Sequence, residues 1–353
     1  MNFVMTGGGT GGHVVPALAV ADELRKRGHS CSFVGTREGF EARLVPQAGF
    51  EIDFISVAGL NRVGRLAQLR TLAQLPVSVA ASWGILSRRR PAAIFSMGGY
   101  VAGPPMLAAK LRGVPQVLME PNAMPGLVSR WTSGWVAKAL VSFEEARSYF
   151  PPGVAEVTGV PVRERFFAVP PKAAGEKLTV LVTGGSRGSQ RLNNAVREAW
   201  PLFLKSGAPV RLIQQTGSAM QAEMERDFRQ TGLDGLVTAF VEDMPAAFAE
   251  ADLVICRSGA GAVAELAAAG RPAILVPFPF AADDHQRRNA EALERAGAGR
   301  LVLDRELNGQ RLLDEVRAIS PQLLPMAAAA RGLAKPEAAR RAASVLEQIA
   351  RVQ

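Results

Sequence analysis

Two cysteines in 353 residues, Cys31 and Cys256, lie far apart, each inside an apolar, strand-like run. No disulfide framework can be built from them, and both are expected to be buried, reduced thiols. Aromatic residues make up only 6% of the chain, with no tract in which they interleave with basic residues, and no RNA- or DNA-binding module signature is present. Nucleic acid is therefore not the expected partner, and the formal charge of +9 is read as affinity for a lipid surface and for phosphate. No stretch of about 20 apolar residues occurs, so no membrane span is expected. The opening MNFVMTGGG runs directly into a strand and a loop, without the basic and apolar segments of a signal peptide.

What is there suffices for ordinary globular cores: 48% hydrophobic and 21% charged residues, at a length that suggests two domains. Short apolar runs (Phe3 to Met5, Cys31 to Val34, Ala93 to Phe95, Gln116 to Met119, Ala139 to Val141) alternate with helical stretches. The alternation resumes at Leu178 to Val182, Val210 to Ile213, Leu253 to Cys256 and Ala273 to Val276. That pattern predicts α/β architecture with parallel sheets wound on both faces. VMTGGGTGG (Val4 to Gly12) is echoed by LVTGGSRGS (Leu181 to Ser189), each following a strand and opening a helix. Two Rossmann-like halves are expected, residues 1–160 and 161–335, joined through the Pro-rich stretch Pro151 to Pro171. The closing helical segment 336–353 follows the second set of units and is free to pack on either half, including back on the first.

The first loop, GGGTGGH from Gly7 to His13, allows close backbone approach to a phosphate, with N–H groups of a helix start behind it. Gly7, Gly9 and Gly12 satisfy the dinucleotide fingerprint G-x-G-x-x-G. That fingerprint also needs an acidic residue ending the second strand, where this chain has Gly35 and Thr36, which argues against NAD. In the second loop, Gly184 to Gly188, Ser186 and Arg187 can meet phosphate oxygens, and Asn193 follows on the next helix. A third strand–turn–helix, Cys256 to Gly270, has small residues from Ser258 to Ala262 at the helix start, and Glu265 about one turn further on. A carboxylate there can accept from a ribose diol; a solvated Glu favoured by the helix dipole is the alternative. Asp283, Asp284 and His285 are adjacent, diverge in direction and have no spaced partner, so no metal site is expected. A polar loop entering a helix with His285, Gln286 and Asn289 fits that segment better.

In order along the chain, GGTGGHVVPALAVA, MGGYVAGP, EPNAMPG, PVR, GGS-x-G, RSGA-x-x-x-AE and DDHQ-x-x-NA resemble the MurG family of glycosyltransferases. That family adds N-acetylglucosamine from UDP-GlcNAc to undecaprenyl-pyrophosphoryl-N-acetylmuramyl pentapeptide, converting lipid I to lipid II. The resemblance covers essentially the whole chain. It implies a GT-B fold of two Rossmann-like domains facing a cleft, with the donor on the C-terminal half and the lipid acceptor on the N-terminal half. It implies inversion, no essential metal or other cofactor, and a peripheral position on the cytoplasmic face of the inner membrane among anionic lipids and cell-wall and division proteins. Donor contacts fall on Thr10, Gly11, Gly12, His13, Asn122, Arg163, Ser186, Asn193, Val241, Ala260, Gly261, Ala262, Glu265 and Gln286. Gly7, Gly8, Gly9 and Thr10 would cradle the acceptor's pyrophosphate. The chain departs from the family at Pro121, where a Gln is common, at Val160, at Ala262 and at His285.

Transfer requires a base for the muramyl C4 hydroxyl and stabilisation of departing UDP. Of the three histidines, His13 immediately follows the glycine loop at a helix start that favours neutral imidazole, and is the expected base. Glu120 is the second candidate. From Leu66, apolar residues recur at Leu69, Leu72, Leu75, Val79, Trp83 and Leu86, a helical spacing interrupted by Pro76, with Arg88, Arg89 and Arg90 at the end. A buried helix with a basic end and an interfacial membrane patch both fit; the resemblance favours the patch. The rival functions are a UDP-GlcNAc 2-epimerase of the same architecture and a non-catalytic lipid-pyrophosphate binder.

Overall fold

The short apolar runs form strands buried along their length, as parallel sheets covered by helices on both faces require. The computed structural model describes residues 1–9, 11–57, 65–172, 175, 177–185, 188–207, 209–281 and 284–351, with 65–73 as helical backbone only. The chain divides into two units, Met1–Arg163 with Lys335–Gln353, and Glu164–Ala334.

The first unit runs β1 (Asn2–Thr6), α1 (Gly11–Lys26), β2 (Ser30–Gly35), α2 (Glu41–Gln47), β3 (Glu51–Phe54) and α3 (Arg65–Arg89). It continues through β4 (Ala93–Ser96), α4 (Gly103–Leu111), β5 (Gln116–Glu120), α5 (Leu127–Thr132), β6 (Lys138–Val141) and β7 (Ala155–Val157). Its parallel sheet has the order β3-β2-β1-β4-β5-β6-β7. The second unit begins with α6 (Glu164–Phe167), β8 (Leu178–Thr183), α7 (Gln190–Lys205), β9 (Val210–Gln215), α8 (Gln221–Thr231), β10 (Asp234–Thr238) and α9 (Met244–Glu250). Then follow β11 (Leu253–Cys256), α10 (Ala260–Ala269), β12 (Ala273–Leu275), α11 (His285–Arg295), β13 (Gly299–Leu301), α12 (Gly309–Ile319) and α13 (Leu323–Gly332). The second sheet, also parallel, is ordered β10-β9-β8-β11-β12-β13. In each sheet the winding reverses beside the strand that precedes a glycine loop, between β1 and β4 and between β8 and β11. The loops leaving the carboxyl ends at such a reversal are where α/β sheets bind ligands.

Pro76 does not interrupt α3, which is continuous from Arg65 to Arg89. Proline removes one main-chain donor and crowds the preceding turn. The Ser78 hydroxyl donates to the Gln74 carbonyl at 3.0 Å in this turn and also to the Ser56 carbonyl, stitching the helix to the chain after β3.

The last helix, α14 (Ala338–Arg351), belongs to the first unit and packs its apolar face, including Ala342, Ala343, Val345 and Leu346, on α1. Arg341 grips Glu156 of β7 with two bonds of 2.6 and 2.8 Å, and this holds the Glu156 carboxyl below its ordinary range. Glu347 accepts from Arg27 at 2.9 Å and meets His29 at 2.7 Å. Burial pushes the Glu347 carboxyl up, but these bonds together hold it below its usual value. Both carboxyls are depressed, so their stabilisation is present above the unfolded-state glutamate value and is lost as pH falls through the lower folded values. Hydrogen exchange over Ala338–Arg351, corrected for intrinsic rates, should stay flat from pH 7 to 5 and rise below about pH 4. Protection that persists into strong acid would mean the apolar face alone holds the helix.

Candidate functional site

In the first unit, the loop after β1 and the loop after β4 touch. A Cβ at Gly7 would come within 2.7 Å of the Met97 Cβ, and one at Gly9, where φ is 80°, within 2.8 Å of the Tyr100 ring. Side chains are thus excluded from the first loop by its neighbours. The His13 ring, two residues into α1, lies beside Gly99, whose added Cβ would stand 3.3 Å from Cε1 and 3.4 Å from Nδ1. Gly11 and Gly12 open α1, where main-chain N–H groups have no partner within the helix. Thr10 lies outside the described residues.

A residue not expected from the sequence organises this loop. Glu41, 1% exposed at the start of α2, accepts from Gly9 N at 2.9 Å, Thr36 N at 2.9 Å and Thr36 Oγ1 at 2.8 Å. A Cβ at Gly8 or at Gly39 would collide with its carboxyl group. Gly35 and Thr36, read from the sequence as the missing acidic ribose clamp, instead seat an acidic group from farther along the chain.

Glu120 ends β5 and is 2% exposed. Its Oε1 accepts from Asn122 N at 2.9 Å and Asn122 Nδ2 at 3.1 Å, and its Oε2 accepts from Gly126 N at 3.1 Å. Burial pushes its carboxyl up, against the pull of bonds from Ser129, Asn122 and Gly126. With this engagement Glu120 shapes the loop 121–126 and orients Asn122. Arg163, partly buried, closes the first unit.

In the second unit, the loops after β8 and β11 again meet at the reversal. A Cβ at Gly188, where φ is 72°, would fall 1.9 Å from the Thr216 carbonyl oxygen, so only glycine fits. Ser189 caps α7. Arg257 donates to Ser189 Oγ at 2.6 Å, to Asp304 Oδ1 at 2.6 Å and to the Pro277 carbonyl at 3.0 Å, joining the starts of α7 and α10. The Ser258 hydroxyl donates to the Gln286 carbonyl at 2.8 Å, and Asn289 Nδ2 to the Ser258 carbonyl at 3.0 Å. Gln286 Oε1 accepts from Phe278 N at 3.0 Å. Ala260, Gly261 and Ala262 form the first turn of α10, and the partly buried Glu265 lies in its second turn. Asn193, expected as a ligand contact, is 1% exposed and spends its Nδ2 on the Thr216 carbonyl at 2.8 Å. Val241 N donates to Gln215 Oε1 at 2.9 Å. Ser186, Arg187 and Asp283 lie outside the described residues.

Burial raises both the Cys31 and the Cys256 thiol to about 12, with Glu265 adding to the rise at Cys256, so neither is a nucleophile at neutral pH. Among the described residues, no three His, Cys, Asp or Glu side chains gather as metal ligands would.

On α3, Leu75, Pro76, Val79, Ala80 and Trp83, with Leu107 of α4, line a shallow apolar groove. Val77 and Leu111 beside it are 69% and 62% exposed. Arg112 lies over the Trp83 ring at 4.8 Å, and Arg88 is largely exposed. Arg88 reaches Asp53 at 3.4 Å, and the less exposed Arg89 is paired with Asp53 at 2.8 Å and with Glu51, which anchors the helix end to β3. Arg90, at φ 45°, turns the chain out of the helix. The side chains of Leu69 and Leu72 lie outside the described residues. No helix among the described residues is long and apolar enough to cross a membrane.

Residues 3–141 match the glycosyltransferase family 28 N-terminal domain, and residues 179–346 the family 28 C-terminal domain. A Solibacter usitatus protein, "UDP-N-acetylglucosamine--N-acetylmuramyl-(pentapeptide) pyrophosphoryl-undecaprenol N-acetylglucosamine transferase", is 57% identical over 99% of this chain and 96% of its own length. The protein of the same name from Methylococcus capsulatus is 44% identical, over 97% of each. The crystal structure of Acinetobacter baumannii MurG superposes with a TM-score of 0.79 at 30% identity, over 98% of this chain and 99% of that one. A UDP-GlcNAc 2-epimerase from Neisseria meningitidis shares the fold, with a TM-score of 0.69 over 99% of this chain and 100% of that one, but only 13% identity.

Proposed function

The chain belongs to the UDP-N-acetylglucosamine–N-acetylmuramyl-(pentapeptide) pyrophosphoryl-undecaprenol N-acetylglucosamine transferases of glycosyltransferase family 28, and from that premise we propose how its two GT-B units divide the reaction. The enzyme transfers N-acetylglucosamine from UDP-GlcNAc to lipid I to give lipid II. The observation that carries the division is the glycine loop at the winding reversal of each sheet.

The second unit holds the donor. The N-termini of α7 and α10 converge on Arg257, so helix dipoles and a fixed guanidinium supply positive potential for the diphosphate as UDP departs. Ala260, Gly261 and Ala262 let the phosphates approach the main chain, Glu265 takes the ribose diol, and Val241 and Gln286 bound the nucleoside. Asn193 acts at one remove, by holding Thr216 against Gly188. The first unit holds the acceptor. Because the Gly9 N–H is given to Glu41, the first-turn N–H groups of Gly11 and Gly12 carry the anion, while Gly7 to Gly9 keep the approach open. His13 removes the C4 hydroxyl proton as that oxygen attacks the anomeric carbon and UDP leaves. Asn122 and Arg163 orient and neutralise the donor.

UDP release from UDP-GlcNAc, with and without lipid-linked muramyl pentapeptide, tests the activity. Release that needs acceptor is the expected result. Epimerisation of UDP-GlcNAc without acceptor, or acceptor binding without UDP release, would each select a rival reading.

The groove of α3 and α4 is proposed as the membrane contact. Trp83, Val77, Leu75 and Leu111 supply the apolar face, and Arg88 and Arg112 face anionic headgroups. Each large apolar side chain withdrawn from water contributes about 1.5–3 kcal/mol. Trp83→Glu is therefore expected to weaken binding to phosphatidylglycerol-rich vesicles by about ten-fold or more, and raised salt should weaken wild-type binding. Flotation that is unchanged by the substitution would make the groove an ordinary surface feature.

A further inference from the structure

Two of the segments assigned above to the donor, those at Gly185 and at Val241, are loops that something must hold, and one amide holds both. Gln215 is the last residue of β9 and is 1% exposed, so water cannot stand in for its partners. Its Nε2 donates to Thr183 Oγ1 at 3.1 Å and to the Gly185 carbonyl at 3.0 Å. Its Oε1 accepts from Val241 N at 2.9 Å. The Thr183 hydroxyl also accepts from Gly185 N at 3.2 Å, which closes a small ring of bonds around the loop after β8. The orientation of the amide follows from its partners, since a main-chain carbonyl can only accept and a main-chain N–H can only donate.

β9 pairs with β8 on one side and β10 on the other. From its carboxyl end a single side chain therefore reaches the connection to α7 and the connection to α9. We infer that Gln215 is the positioning residue that sets the distance between the diphosphate loop at Gly185 and the nucleoside segment at Val241, and so the span of the nucleotide that the site accepts. The inference rests on the donor assignment made above for this unit. Neighbouring Thr216 holds Asn193 and also bonds the Thr238 carbonyl at the end of β10, but among the described contacts the Gln215 amide alone bonds both Gly185 and Val241.

The two ends can be separated experimentally. Gln215→Glu retains an acceptor for Val241 N–H, and the Thr183 hydroxyl can turn to donate to it. The Gly185 carbonyl, however, then faces a second acceptor with no proton between them. Gln215→Met, close in size, removes every bond. Binding of uridine and of UDP is measured as competition against UDP-GlcNAc in the full-length enzyme, with thermal melts to establish folding. Q215E should bind UDP about ten-fold more weakly, as for one unmet buried hydrogen bond, with uridine within about two-fold of wild type. Q215M should weaken both. For the transfer reaction, KM for UDP-GlcNAc should rise with kcat nearly kept. If Q215E does not fold, Thr183→Val, which removes the hydroxyl that accepts from both Gly185 N and Gln215 Nε2 and leaves the Gln215–Val241 bond in place, carries the same test with the same expected split. Equal losses for uridine and UDP in Q215E, or wild-type UDP affinity in Q215M, would overturn the inference. Glu265→Ala in the same assay isolates the premise: if it weakens UDP while Q215E does not, the Gln215 inference alone fails, and if it leaves UDP untouched the donor assignment fails with it.

Discussion

His13→Ala should lower kcat by about 10²–10⁴-fold, the usual cost of removing a general base, with UDP affinity close to wild type. The imidazole stands beside Gly99, in the angle between the loops after β1 and β4, where the order of the first sheet reverses. That is the place where an α/β sheet presents its ligand. The other two histidines are differently occupied: His29 is tied to Glu347 at 2.7 Å, and His285 begins α11 in the segment that carries Gln286. Glu120 is a poorer base than its sequence position suggested, because both its oxygens already accept main-chain N–H groups. Loss of the acidic limb of the kcat–pH profile in His13→Ala would complete the case. A variant that keeps kcat and loses donor affinity would instead make His13 a binding residue. Glu120→Gln is expected to differ from both, raising KM by loosening the loop around Asn122 while leaving the shape of the pH profile intact.

Much of this arrangement is legible in the sequence because it is local. A glycine run between a strand and a helix states its own geometry, and its repetition at Gly184 states that there are two sheets. The supports of those loops are not local. Glu41 reads as an ordinary first-turn glutamate of a short helix, and only the pairing of β1 with β2 brings it under Gly9. Gln215 ends a strand in a run of two glutamines, and nothing in its neighbours announces that it joins residues 30 positions before it and 26 after. Asn193 shows the converse case. It follows a phosphate loop, as a ligand contact would, yet helical periodicity turns it inward to Thr216. Arg89 shows the same limit among charges, since a basic run at a helix end looks uniform until β3 supplies Asp53, which Arg88 also reaches, and Glu51 to hold one member more firmly.

The same distinction between local pattern and distant support bears on Glu265→Ala, which should weaken UDP binding by about 1.5–3 kcal/mol, the worth of hydrogen bonds to a charged group, or about ten- to more than a hundred-fold. Glu265 lies in the second turn of α10, beyond the small residues Ala260 to Ala262, on a helix otherwise apolar from Val263 to Ala269. A glutamate placed merely to complement the helix dipole would stand in the first turn, where the effect is concentrated. Its position also costs something, because its charge adds to the forces that keep the Cys256 thiol protonated beneath it. The turn leading to it is held by the Ser258–Gln286 and Ser258–Asn289 bonds, so the carboxylate is offered from a fixed base and not from a mobile loop. A ribose diol gives two donors to one carboxylate, so removal of the 2′-hydroxyl from the ligand should cost the wild type affinity and cost Glu265→Ala almost nothing further. Calorimetry with UDP and 2′-deoxy-UDP on both proteins measures this coupling. Full additivity of the two losses would separate Glu265 from the ribose, and unchanged UDP affinity in the variant would remove it from the donor site.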